Sequence, residues 1–513
     1  MLNRIARDKI RSLEELGQLA DEARTQGKKV VLCHGVFDLV HMGHVRHLEA
    51  AAREGDLLMV TTTADRYVNK GPGRPIFGQD IRAEMLAAME YVDWVAINQT
   101  PSAEVVLEAI RPDIYVKGSD YENPEEDITG KITSERDAVE RHGGRLVFTR
   151  DITFSSSTLI NRYLDIYDPP LRDHLDNLRA DGGPDRIPAL IDSVKNMRIA
   201  VVGDAIIDEY QYVSALGKPS KENIIASLHR DIESFAGGIF ATANHVASFC
   251  GHVDLITTIA ADCPYMNLIE RMLKPNVRLH AIRVADRPTT RKLRFVDKAA
   301  VVRKLFEVYF MDDRPLSPFD RDQVSERIRT LCPDADVTIV NDFGHGMICH
   351  NLVSDLRRHS KYLAVNAQTN AGNHGYNLIS KYPGADYVCI DAPEARLATA
   401  DKYSDITDIV GAILPNAIGC KSAVVTHGEH GCFTFGPGQG VTRIPAFTKT
   451  VVDTVGAGDA FFAVTAPLAA AGGKMSDVGF VGNAAGAMKV GIVGHRQSVE
   501  KIPLMKFVTT LMK

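Results

Sequence analysis

Short apolar runs alternate with amphipathic segments through the first third of the chain. The runs predict strands buried on both faces, and the segments between them predict helices. Ser12 and Glu15 have the spacing of a capping box ahead of the first run, and Gly27 stands where that helix should end. The predicted strands cover residues 30–33, 57–62, 92–97, 114–117 and 145–148, and the predicted helices cover residues from about 44, 82–90, 103–110 and 134–142.

This alternation predicts a parallel, Rossmann-like sheet covered by helices on both sides, with its site at the carboxyl ends of the strands. The pattern stops where Asp168-Pro169-Pro170 and Asp181-Gly182-Gly183-Pro184 interrupt two modest helical segments, which indicates a linker. A second alternating pattern begins at Met197. We therefore predict an α/β protein with a Rossmann-like domain at residues 1–164, a linker at 165–195 and a larger α/β domain at 196–513.

Composition narrows the class of protein. Apolar residues make up 45% and charged residues 24%, which is typical of a folded globular chain, and the net charge of −6 gives no reason to expect nucleic acid or an anionic membrane as a partner. The eight cysteines are scattered without metal-ligand spacing, as in a reducing compartment. No run approaches the roughly 20 apolar residues that span a bilayer, and residues 1–10 lack the apolar core of a signal peptide. We expect a soluble, cytoplasmic protein.

The first candidate site runs from Gly35 to His44, after a predicted strand and at the start of a helix. His41 and His44 are three residues apart in the first turn and project to one side of the helix. The backbone N–H groups and the positive dipole end at that position attract phosphates. Imidazoles there can donate hydrogen bonds to the α-phosphate of a nucleotide while pyrophosphate is displaced. Gly35 lets the nucleotide approach the backbone closely.

A longer string carries a family resemblance. Gly35-Val36-Phe37-Asp38-Leu39-Val40-His41-Met42-Gly43-His44 resembles the Gly-x-Phe-Asp-x-x-His-x-Gly-His signature of the cytidylyltransferase-like nucleotidyltransferases. Residues 11–163 also resemble the adenylyltransferase domain of the bifunctional heptose-7-phosphate kinase/heptose-1-phosphate adenylyltransferase family. The matching segments follow in the expected order at Lys70-Gly71, Arg74-Pro75-Ile76, Arg82 and residues 92–95, 116–121 and 155–160.

This resemblance implies a set of binding residues around the two catalytic histidines. Lys70 and Arg82 would neutralise phosphates, Lys117 would lie near the nucleotide or the sugar phosphate, and hydroxyls at a late helix start would receive the triphosphate. The implied nucleotide- and phosphate-binding residues are Gly35, Phe37, Asp38, Lys70, Arg82, Lys117, Ser156, Ser157 and Thr158. Residues 127–132 depart from the family as an extra segment, which leaves the acceptor substrate open.

The second candidate site is Asp453-Thr454-Val455-Gly456-Ala457-Gly458-Asp459, ahead of an apolar helical run. Glycines at the entry of a helix expose N–H groups that can hold a transferring phosphoryl group. Asp459 falls in the first turn, where its carboxylate can accept the proton of an attacking sugar hydroxyl. The string resembles the signature of the ribokinase-like, PfkB-type sugar kinases, which implies a ribokinase-like fold for the second domain.

Further segments match that kinase family in order, at Gly203-Asp204, Asp208, Gly237-Gly238 and residues 287–292, 342–346, 391–394 and 426–431. With Asp459 as the catalytic base, the resemblance implies an anion hole and nucleotide site at Thr454, Gly456, Ala457, Gly458, Asp391, Glu394, Thr426 and Gly428. It implies a sugar site at Asp208, Gly237, Gly238 and Asn244. It also implies Mg²⁺ held without direct protein ligands, through Asp391, Glu394 and the phosphates.

The second domain departs from the family pattern at three places. Ala241 stands where the family has an asparagine, one helical turn before Asn244, and Asp391 replaces the usual asparagine. Asn366-Ala367-Gln368 stands where heptose kinases have an Asp-Pro-Lys stretch. Because a lost hydroxyl partner in a polar pocket changes discrimination strongly, these departures leave the sugar and the strength of the kinase activity open.

The sequence thus predicts a transferase with its two domains in the opposite order from the heptose enzyme. One domain would be a sugar kinase that uses Mg²⁺ and ATP, and the other would join a sugar 1-phosphate to ATP or CTP, with an ADP-activated heptose as the implied product. A first alternative is a cytidylyltransferase for a polyol or amino-alcohol phosphate beside a kinase of the same pathway. A second keeps the nucleotidyltransferase but makes the kinase-like domain a non-catalytic sugar sensor. Ribokinase-like proteins often dimerise, and this analogy allows a homodimer, but the sequence leaves the oligomeric state open.

Overall fold

The apolar runs of the first third form five parallel strands in the structure, a computed structural model that describes residues 6–119, 131–149, 157, 160–161, 166–297, 303–448 and 451–513. The strands are β1 (Val30–Gly35), β2 (Leu57–Thr63), β3 (Trp94–Asn98), β4 (Ile114–Gly118) and β5 (Arg145–Thr149). Their order in the sheet is β3-β2-β1-β4-β5. The chain builds outward from β1 to β3 and returns to the other side of β1 for β4, so the topological switch point lies between β1 and β4.

Helices cover both faces of this sheet, as the apolar runs predict. Along β1, Val31 and Cys33 pack into one core cluster and Val30 and Leu32 into another, because successive side chains of a strand point to opposite faces. The helices are α1 (Leu13–Thr25), α2 (Met42–Ala52), α3 (Gln79–Ala87), α4 (Glu104–Ile110) and α5 (Ile132–Arg141). Each predicted strand and helix of this part of the chain is present, with ends that shift by a few residues.

The second part of the chain contains two sheets. Its strands are β6 (Arg198–Gly203), β7 (Ala205–Gly217), β8 (Ala226–Gly238), β9 (His252–Ala260), β10 (Val277–Val284), β11 (Thr290–Asp297), β12 (Arg303–Phe310), β13 (Val337–Asp342), β14 (Leu363–Ala367), β15 (Tyr387–Asp391), β16 (Ser422–Thr426), β17 (Cys432–Gly436) and β18 (Gly440–Ile444). The larger sheet has the order β10-β9-β6-β13-β14-β15-β16-β17-β18. Its strands run parallel except for the antiparallel β17 and β18. The smaller sheet has the order β12-β11-β7-β8.

The helices of this part flank the larger sheet and include the predicted helix after the glycine-rich turn. They are α6 (Pro169–Ala180), α7 (Gly183–Ser193), α8 (Ile239–Ala247), α9 (Met266–Met272), α10 (Pro318–Leu331), α11 (His350–His359), α12 (Ala392–Thr399), α13 (Ile406–Asp408), α14 (Leu414–Ile418), α15 (Ala457–Ala470), α16 (Met475–Lys489) and α17 (Lys501–Leu511). A π-helical stretch at Ile409–Ile413 joins α13 to α14. No helix of the described residues has the length and apolar character that crossing a membrane requires.

The structure divides into two units, and the division differs from the predicted boundaries. Unit 1 consists of Met1–Asp168 together with Met505–Lys513, and unit 2 consists of Pro169–Leu504. The two helical segments of the predicted linker are α6 and α7, and residues 169–195 belong to unit 2. Their apolar positions make this possible, because Leu171, Leu175 and Leu178 lie on one face of α6 and are buried. The signal at Asp168-Pro169-Pro170 coincides with the boundary between the two units, whereas the signal at residues 181–184 marks only the end of α6 and the start of α7.

A buried carboxylate joins α7 to α16 within unit 2. Arg186 Nε donates to Asp477 Oδ2 over 2.5 Å and Arg186 Nη2 donates to Asp477 Oδ1 over 3.0 Å. The Asp477 side chain is fully buried, whereas that of Arg186 is 36% exposed. The segment predicted as a linker therefore contributes a charged contact to the interior of unit 2.

Replacing Arg186 with alanine should destabilise unit 2 by about 1–3 kcal/mol, because it leaves a buried carboxylate without its partner. Urea unfolding followed by far-UV circular dichroism measures this change, and hydrogen exchange within α16 locates it. Lys474→Ala removes a cation that pairs with exposed Asp181 and should have a much smaller effect. Equal stability of the two variants would show that α7 does not stabilise unit 2 through Asp477.

Candidate active sites

The carboxyl ends of β1 and β4 lie side by side at the switch point of unit 1, and each ends in a glycine. A Cβ atom added to Gly35 would lie 3.2 Å from the ring of Phe37, whereas one added to Gly118 would meet nothing within 4 Å. Phe37 has a φ of 51°, a left-handed conformation that a bulky side chain adopts only when its surroundings hold it. The turn after β1 is tightly shaped, and the end of β4 leaves room beside it for a ligand.

His41 and His44 lie together at the start of α2, with ring centroids 4.0 Å apart. His41 is the N-cap residue. Gly43 N donates to His41 Nδ1 over 3.1 Å, and His41 N donates to His44 Nδ1 over 3.3 Å. Because both Nδ1 atoms accept from the backbone, each neutral ring carries its proton on Nε2. The capping interaction thus fixes the tautomer that can donate a hydrogen bond to a phosphate.

Burial keeps these imidazoles neutral. Desolvation, together with the nearby charges of His41 and Lys70, lowers the pKa of His44 to about 3. Burial and the Lys70 charge also lower the pKa of His41. Burial lowers the pKa of Lys70 itself to about 8, although the attraction of Asp38 opposes this. Lys70 therefore lies within electrostatic reach of both histidines, where a phosphate-neutralising cation is needed.

Asp38 and Arg74 form an ion pair that is completely buried in unit 1. Arg74 Nη1 donates to Asp38 Oδ2 over 2.7 Å, and Ile76 N donates to Asp38 Oδ1 over 2.7 Å. The other end of the guanidinium donates to Asn161 Oδ1 over 2.8 Å. The family resemblance implied that Asp38 binds the nucleotide. In the structure its carboxylate holds the segment at residues 74–76 against the turn after β1.

Arg82 does not have the phosphate-binding role that the resemblance implied, because every donor of its guanidinium is already used. The side chain is fully buried. Its five N–H groups donate over 2.5–3.0 Å to Phe77 O, Val36 O, Thr62 Oγ1, Thr63 O and Asp65 Oδ1. Arg82 instead ties the carboxyl ends of β1 and β2 to the start of α3, and this supports the turn that carries the histidines.

Lys117 lies at the end of β4, at the edge where the sequence places it. Its ammonium is 2.8 Å from Glu135 Oε2, and both side chains are less than a tenth exposed. The charge of Lys117 is therefore partly neutralised within unit 1. Ser157 is buried, and its carbonyl accepts a hydrogen bond from Arg74. Ser156 and Thr158, which were predicted to receive the triphosphate, lie outside the described residues.

In unit 2, Asp459 is the third residue of α15 and its side chain is buried. Asn341 Nδ2 donates to Asp459 Oδ1 over 3.0 Å, and Gln368 Nε2 donates to the same oxygen over 2.7 Å. Burial raises the pKa of Asp459, and the hydrogen bond from Asn341 partly offsets the rise. A raised pKa makes this carboxylate a better acceptor for the proton of an alcohol.

The glycine-rich turn ahead of Asp459 has the shape of an anion-binding helix start. Gly456 is the N-cap residue of α15, with a φ of 75°, a conformation that glycine adopts without strain. Ala457 N donates to Thr454 O over 3.2 Å and closes the turn. A Cβ atom added to Gly458 would meet nothing within 4 Å. The backbone at Gly458 therefore has open space in which a phosphoryl group can approach it.

Three of the four residues predicted for the sugar site, Asp208, Gly237 and Gly238, lie close to the anion-binding turn. Asp208 in β7 lies over Gly237 in β8, where an added Cβ atom would collide with Asp208 Oδ2. His495 Nε2 is 3.2 Å from that oxygen, and the same ring lies against Gly456, where an added Cβ atom would come 2.5 Å from His495 Cε1. Arg294 binds the other oxygen of Asp208. His495 thus connects the sugar residues to the anion-binding turn.

The electrostatic state of Asp208 follows from these partners. Burial by itself would raise the pKa of its carboxyl group, but the hydrogen bond from His495 and the charge of Arg294 outweigh burial and hold the pKa well below its usual range. Asp208 is therefore ionised throughout the physiological pH range. Gly238 follows Gly237 with a φ of 52° and forms the N-cap of α8, so both predicted glycines belong to the junction between β8 and this helix.

Asn244 does not lie in the sugar site that was predicted for it. Its Nδ2 donates to Met272 O over 2.9 Å, and its Oδ1 accepts from Lys274 N over 3.0 Å. The side chain is buried and ties α8 to the segment after α9. One helical turn separates Asn244 from Ala241, and that turn is enough to direct its amide away from β8. Neither Ala241 nor Asn244 therefore supplies the predicted sugar site with the amide that the family resemblance implied.

Asp391 and Glu394 form a reciprocal cap at the start of α12. Glu394 N donates to Asp391 Oδ1 over 2.8 Å, and Asp391 N donates to Glu394 Oε2 over 3.0 Å. Thr369 N donates to the second oxygen of Glu394 over 2.8 Å. Burial, with a smaller contribution from Asp391, raises the pKa of Glu394 to about 8, and burial raises the pKa of Asp391. Two carboxylates in this state gain from a nearby cation.

The nucleotide-side loop follows β16. Thr426 ends that strand, and Gly428 has a φ of 53° in the turn before β17. A surface cavity opens beside this loop. Its lining includes His427, His430, Phe433 and Arg443. Aromatic and guanidinium groups of this kind can stack on a nucleobase, so the cavity is a suitable place for one.

Sequence reasoning missed several residues that complete the site in unit 2. They are Arg294, Asn341, Gln368, Lys489 and His495. Gln368 belongs to the stretch that departs from the heptose kinases, and the structure shows that its amide binds the proposed base. A lone lysine in the apolar run at residues 484–493 was a signal that could have drawn attention to Lys489. Among the described residues, no group of three or more His, Cys, Asp or Glu side chains could hold a metal ion.

Two family models match the chain, one in each unit. The model of the pfkB family of carbohydrate kinases matches residues 196–502, and the cytidylyltransferase-like model matches residues 32–162. The second match lies in unit 1 and contains both histidines. The first lies in unit 2 and contains the glycine-rich turn and Asp459.

Two curated relatives match the nucleotidyltransferase-like part of the chain. The bifunctional protein HldE of Syntrophotalea carbinolica is 39% identical over 163 residues, which are 31% of this chain and 32% of that protein. The bifunctional protein HldE of Alcanivorax borkumensis is 46% identical over 103 residues, which are 20% of this chain and 22% of that protein. The aligned region thus spans a third or less of each relative.

A solved structure resembles the rest of the chain. Phosphofructokinase-2 from Escherichia coli, in complex with potassium, covers 62% of this chain and 100% of its own, with a TM-score of 0.50 and 16% sequence identity. At this level of identity the likeness shows the fold alone. The predicted fold class is confirmed: an α/β protein with a Rossmann-like cytidylyltransferase-like domain followed by a ribokinase-like domain.

The stability of unit 1 should fall as the pH decreases below about 6.5. His34 and His44 each have a folded-state pKa of about 3 against an ordinary value of 6.5, so the unfolded chain binds protons that the folded unit does not. By linkage, the two histidines make their full contribution to the free energy of unfolding above pH 6.5, and this contribution is progressively lost as the pH falls towards 3. Urea unfolding across this range, followed by the fluorescence of the single tryptophan Trp94 in β3, measures the effect.

The double variant His34→Gln, His44→Gln should show a weaker dependence on pH between 6.5 and 3. His142→Gln is the matched control, since this imidazole lies at the surface beside Glu108. This variant should keep the pH dependence of stability that His34 and His44 produce. An unchanged pH dependence in the double variant would mean that the two imidazoles are not held neutral by burial.

Proposed function

The chain belongs to the pfkB family of carbohydrate kinases and is a transferase, and from that premise we propose that it is a bifunctional enzyme of nucleotide-sugar synthesis. Unit 2 phosphorylates a sugar or sugar phosphate with ATP, and unit 1 transfers a nucleotidyl group to a sugar 1-phosphate. The observation that carries the proposal is the convergence in unit 2, where His495 contacts both Asp208 and Gly456 and Asp459 follows in the same helical turn.

In the kinase reaction, the oxygen of a sugar hydroxyl bonds to the γ-phosphorus of ATP. The bond from that phosphorus to the β–γ bridging oxygen breaks, and its electron pair leaves with ADP. Asp459 accepts the hydroxyl proton, and its raised pKa suits this role. The amides at Gly456–Gly458 receive the transferring group, and Asp208 with the backbone at Gly237 orients the sugar.

Mg²⁺ fits the carboxylates at the start of α12. Glu394 has both oxygens occupied by backbone N–H groups, whereas Asp391 uses only Oδ1 in the cap and part of this residue reaches solvent. A hydrated Mg²⁺ bound mainly by ATP phosphates can contact these groups through its water ligands. The ion would neutralise phosphate charge, and Asp391 and Glu394 would orient its waters.

In the second reaction, an oxygen of a sugar 1-phosphate bonds to the α-phosphorus of a nucleoside triphosphate. The bond to the α–β bridging oxygen breaks, and its electron pair leaves with pyrophosphate. His41 and His44 donate from Nε2 to the developing charge, and their low pKa values mean that they act as neutral donors. Lys70 supplies the cationic charge, because Arg82 is fully occupied and Lys117 is paired with Glu135.

An ADP-activated heptose, or a related sugar, is the product that the curated relatives support best. They carry the name of a bifunctional protein, and they match unit 1 at 39% and 46% identity. The absence of the family amide at Ala241 and the engagement of Asn244 elsewhere support a sugar that differs from the usual kinase substrate. A cytidylyltransferase that acts on a polyol phosphate remains the second candidate, since the histidine signature serves ATP and CTP alike.

Two substitutions should separate the two activities. Asp459→Asn should lower sugar-dependent ADP formation by about 100-fold or more, because it removes the base, and should leave pyrophosphate release unchanged. His44→Ala should lower pyrophosphate release by about 100-fold or more, because it removes a donor to the α-phosphate, and should leave ADP formation unchanged. Each unit is thus the control for the other, and loss of both activities in either variant would contradict separate sites.

The substrates should be identified by a panel of sugars, sugar phosphates and polyol phosphates, each assayed with ATP and with CTP. We expect ADP from a sugar or sugar phosphate with ATP, and pyrophosphate from a sugar 1-phosphate with ATP. Pyrophosphate formed only from CTP and a polyol phosphate would favour the cytidylyltransferase. Absence of ADP with every acceptor, while pyrophosphate still forms, would overturn the kinase and make unit 2 a sugar sensor.

A further inference from the structure

Lys489 is a completely buried lysine beside the anion-binding turn of unit 2. It is the last residue of α16, and its stem lies against Gly456, where an added Cβ atom would come 3.4 Å from Lys489 Cε. Its ammonium donates to Val455 O over 2.8 Å and to Gly494 O over 2.7 Å. A buried ammonium without close acceptors would be strongly unfavourable. The two carbonyls are therefore what keeps the charge in this position.

Asp453 binds the same two residues, Val455 and Gly494, through their backbone N–H groups. Val455 N donates to Asp453 Oδ1 over 3.1 Å, and Gly494 N donates to Asp453 Oδ2 over 2.8 Å. The carboxylate thus accepts from the amides of Val455 and Gly494, while the Lys489 ammonium donates to their carbonyls. Two opposite charges clamp the segment before Gly456 against the segment before His495, and neither segment has regular secondary structure at that point.

The position of this clamp has an electrostatic consequence for phosphoryl transfer. Val455 directly precedes Gly456, so the Lys489 charge lies behind the amides that would face the phosphoryl group. The negative charge that develops on the phosphoryl group is therefore stabilised by the Lys489 charge. Because this charge is already in place, no reorganisation is needed during the reaction. The sequence motif accounts for the amides alone and contains no cation.

We propose that Lys489 is a positioning residue for the kinase reaction, a built-in monovalent cation that fixes the anion-binding turn and stabilises the charge of the transferring phosphoryl group. This inference rests on the kinase activity proposed for unit 2. Lys489 touches neither substrate and acts through Val455 and the amides that follow it. Because the ammonium occupies the space between the two carbonyls, the wild-type kinase should not respond to added K⁺ or NH₄⁺.

The proposal also predicts that the kcat of the kinase reaction decreases at alkaline pH. Burial, against the attraction of nearby carboxylates, lowers the pKa of Lys489 to about 8. The charged groups that face it are Asp453, Asp459, Asp208 and Lys304, and the His495 ring lies against the same side of Gly456 as the lysine stem. As the pH rises through about 8 the ammonium loses its proton, so kcat should fall there. Asp453 is held ionised, with a pKa of about 2, and does not titrate in this range.

The test compares Lys489→Ala, Lys489→Met and the wild-type chain with the acceptor found in the substrate panel. Both variants should lose about 100-fold in kcat, in line with the loss of one preorganised electrostatic group, with a smaller change in KM. Added NH₄⁺ or K⁺ should restore the alanine variant in a saturable manner, because the vacated space is lined by two carbonyls. The methionine side chain fills that space, so the methionine variant should not respond. Lys474→Met, at an exposed lysine in the same unit, is the matched control.

The outcomes separate this inference from the proposed function. If the wild-type chain transfers no phosphoryl group to any acceptor, the proposed function fails. If the wild type is active and Lys489→Met keeps kcat within about twofold, or the alanine variant is not rescued by NH₄⁺ or K⁺, the role of Lys489 is overturned. If both variants fail to fold, the wild type decides: a kcat that needs added K⁺, or that does not decrease near pH 8, contradicts the proposal.

Discussion

Buried charge that is fully engaged by backbone groups is the interaction on which both sites depend. Phosphate-binding turns have few side chains to pack, so hydrophobic burial cannot hold them in place. In unit 1 the Arg82 guanidinium uses all five N–H groups, on the ends of β1 and β2, on Asp65 and on the segment before α3. The ion pair of Asp38 and Arg74 holds the segment at residues 74–76. In unit 2 Asp453 and Lys489 do the same for the turn before Gly456. Such charges are costly to bury unless every partner is present, and this makes the loop geometry strict.

The two units have candidate phosphate-binding sites of similar construction, but the side chains in them differ in chemistry. Both present a candidate ligand site at the carboxyl end of a parallel sheet, beside the N-terminus of a helix. Unit 1 adds neutral imidazoles, whose tautomer is fixed by capping. Unit 2 adds a carboxylate whose pKa is raised by burial. A neutral donor suits charge that develops on a phosphate, and a carboxylate suits removal of a proton from an alcohol.

Much of the fold of unit 1 could be predicted, because apolar strands and capping signals are local. The capping box of Ser12 and Glu15 is present, with Glu15 N donating to Ser12 Oγ over 3.1 Å. The predicted linker shows the limit of local signals. Pro169 stands at the boundary between the units, but the buried leucine stripe of α6 and the contact from Arg186 to Asp477 fold residues 169–195, which were predicted as a linker, into unit 2. Tertiary burial outweighs turn propensity there.

The site residues show the same limit. Motifs identified Asp459, Gly456, His41 and His44 because the chemistry requires these residue types at that spacing. They could not reveal which cations are already paired, so Arg82 and Lys117 were given phosphate roles that their contacts restrict. Nor could they identify residues that come from distant parts of the chain. His495 is 287 positions from Asp208 (495 − 208), and only the folded chain brings its ring to within 3.2 Å of that carboxylate.

Met505–Lys513 belong to unit 1 together with Met1–Asp168, so unit 1 is built from two separate segments of the chain. Unit 1 is discontinuous: the polypeptide leaves it after Asp168, builds the whole of unit 2 and then returns. Asn161 Nδ2 donates to Thr510 O over 2.7 Å, and Leu511 lies beside Gly71. During synthesis, unit 1 therefore cannot reach its final contacts until residues 505–513 have left the ribosome. A fragment cut after Asp168 would lack the contacts that Thr510 and Leu511 make with unit 1, so unit 1 is not a freely exchangeable module.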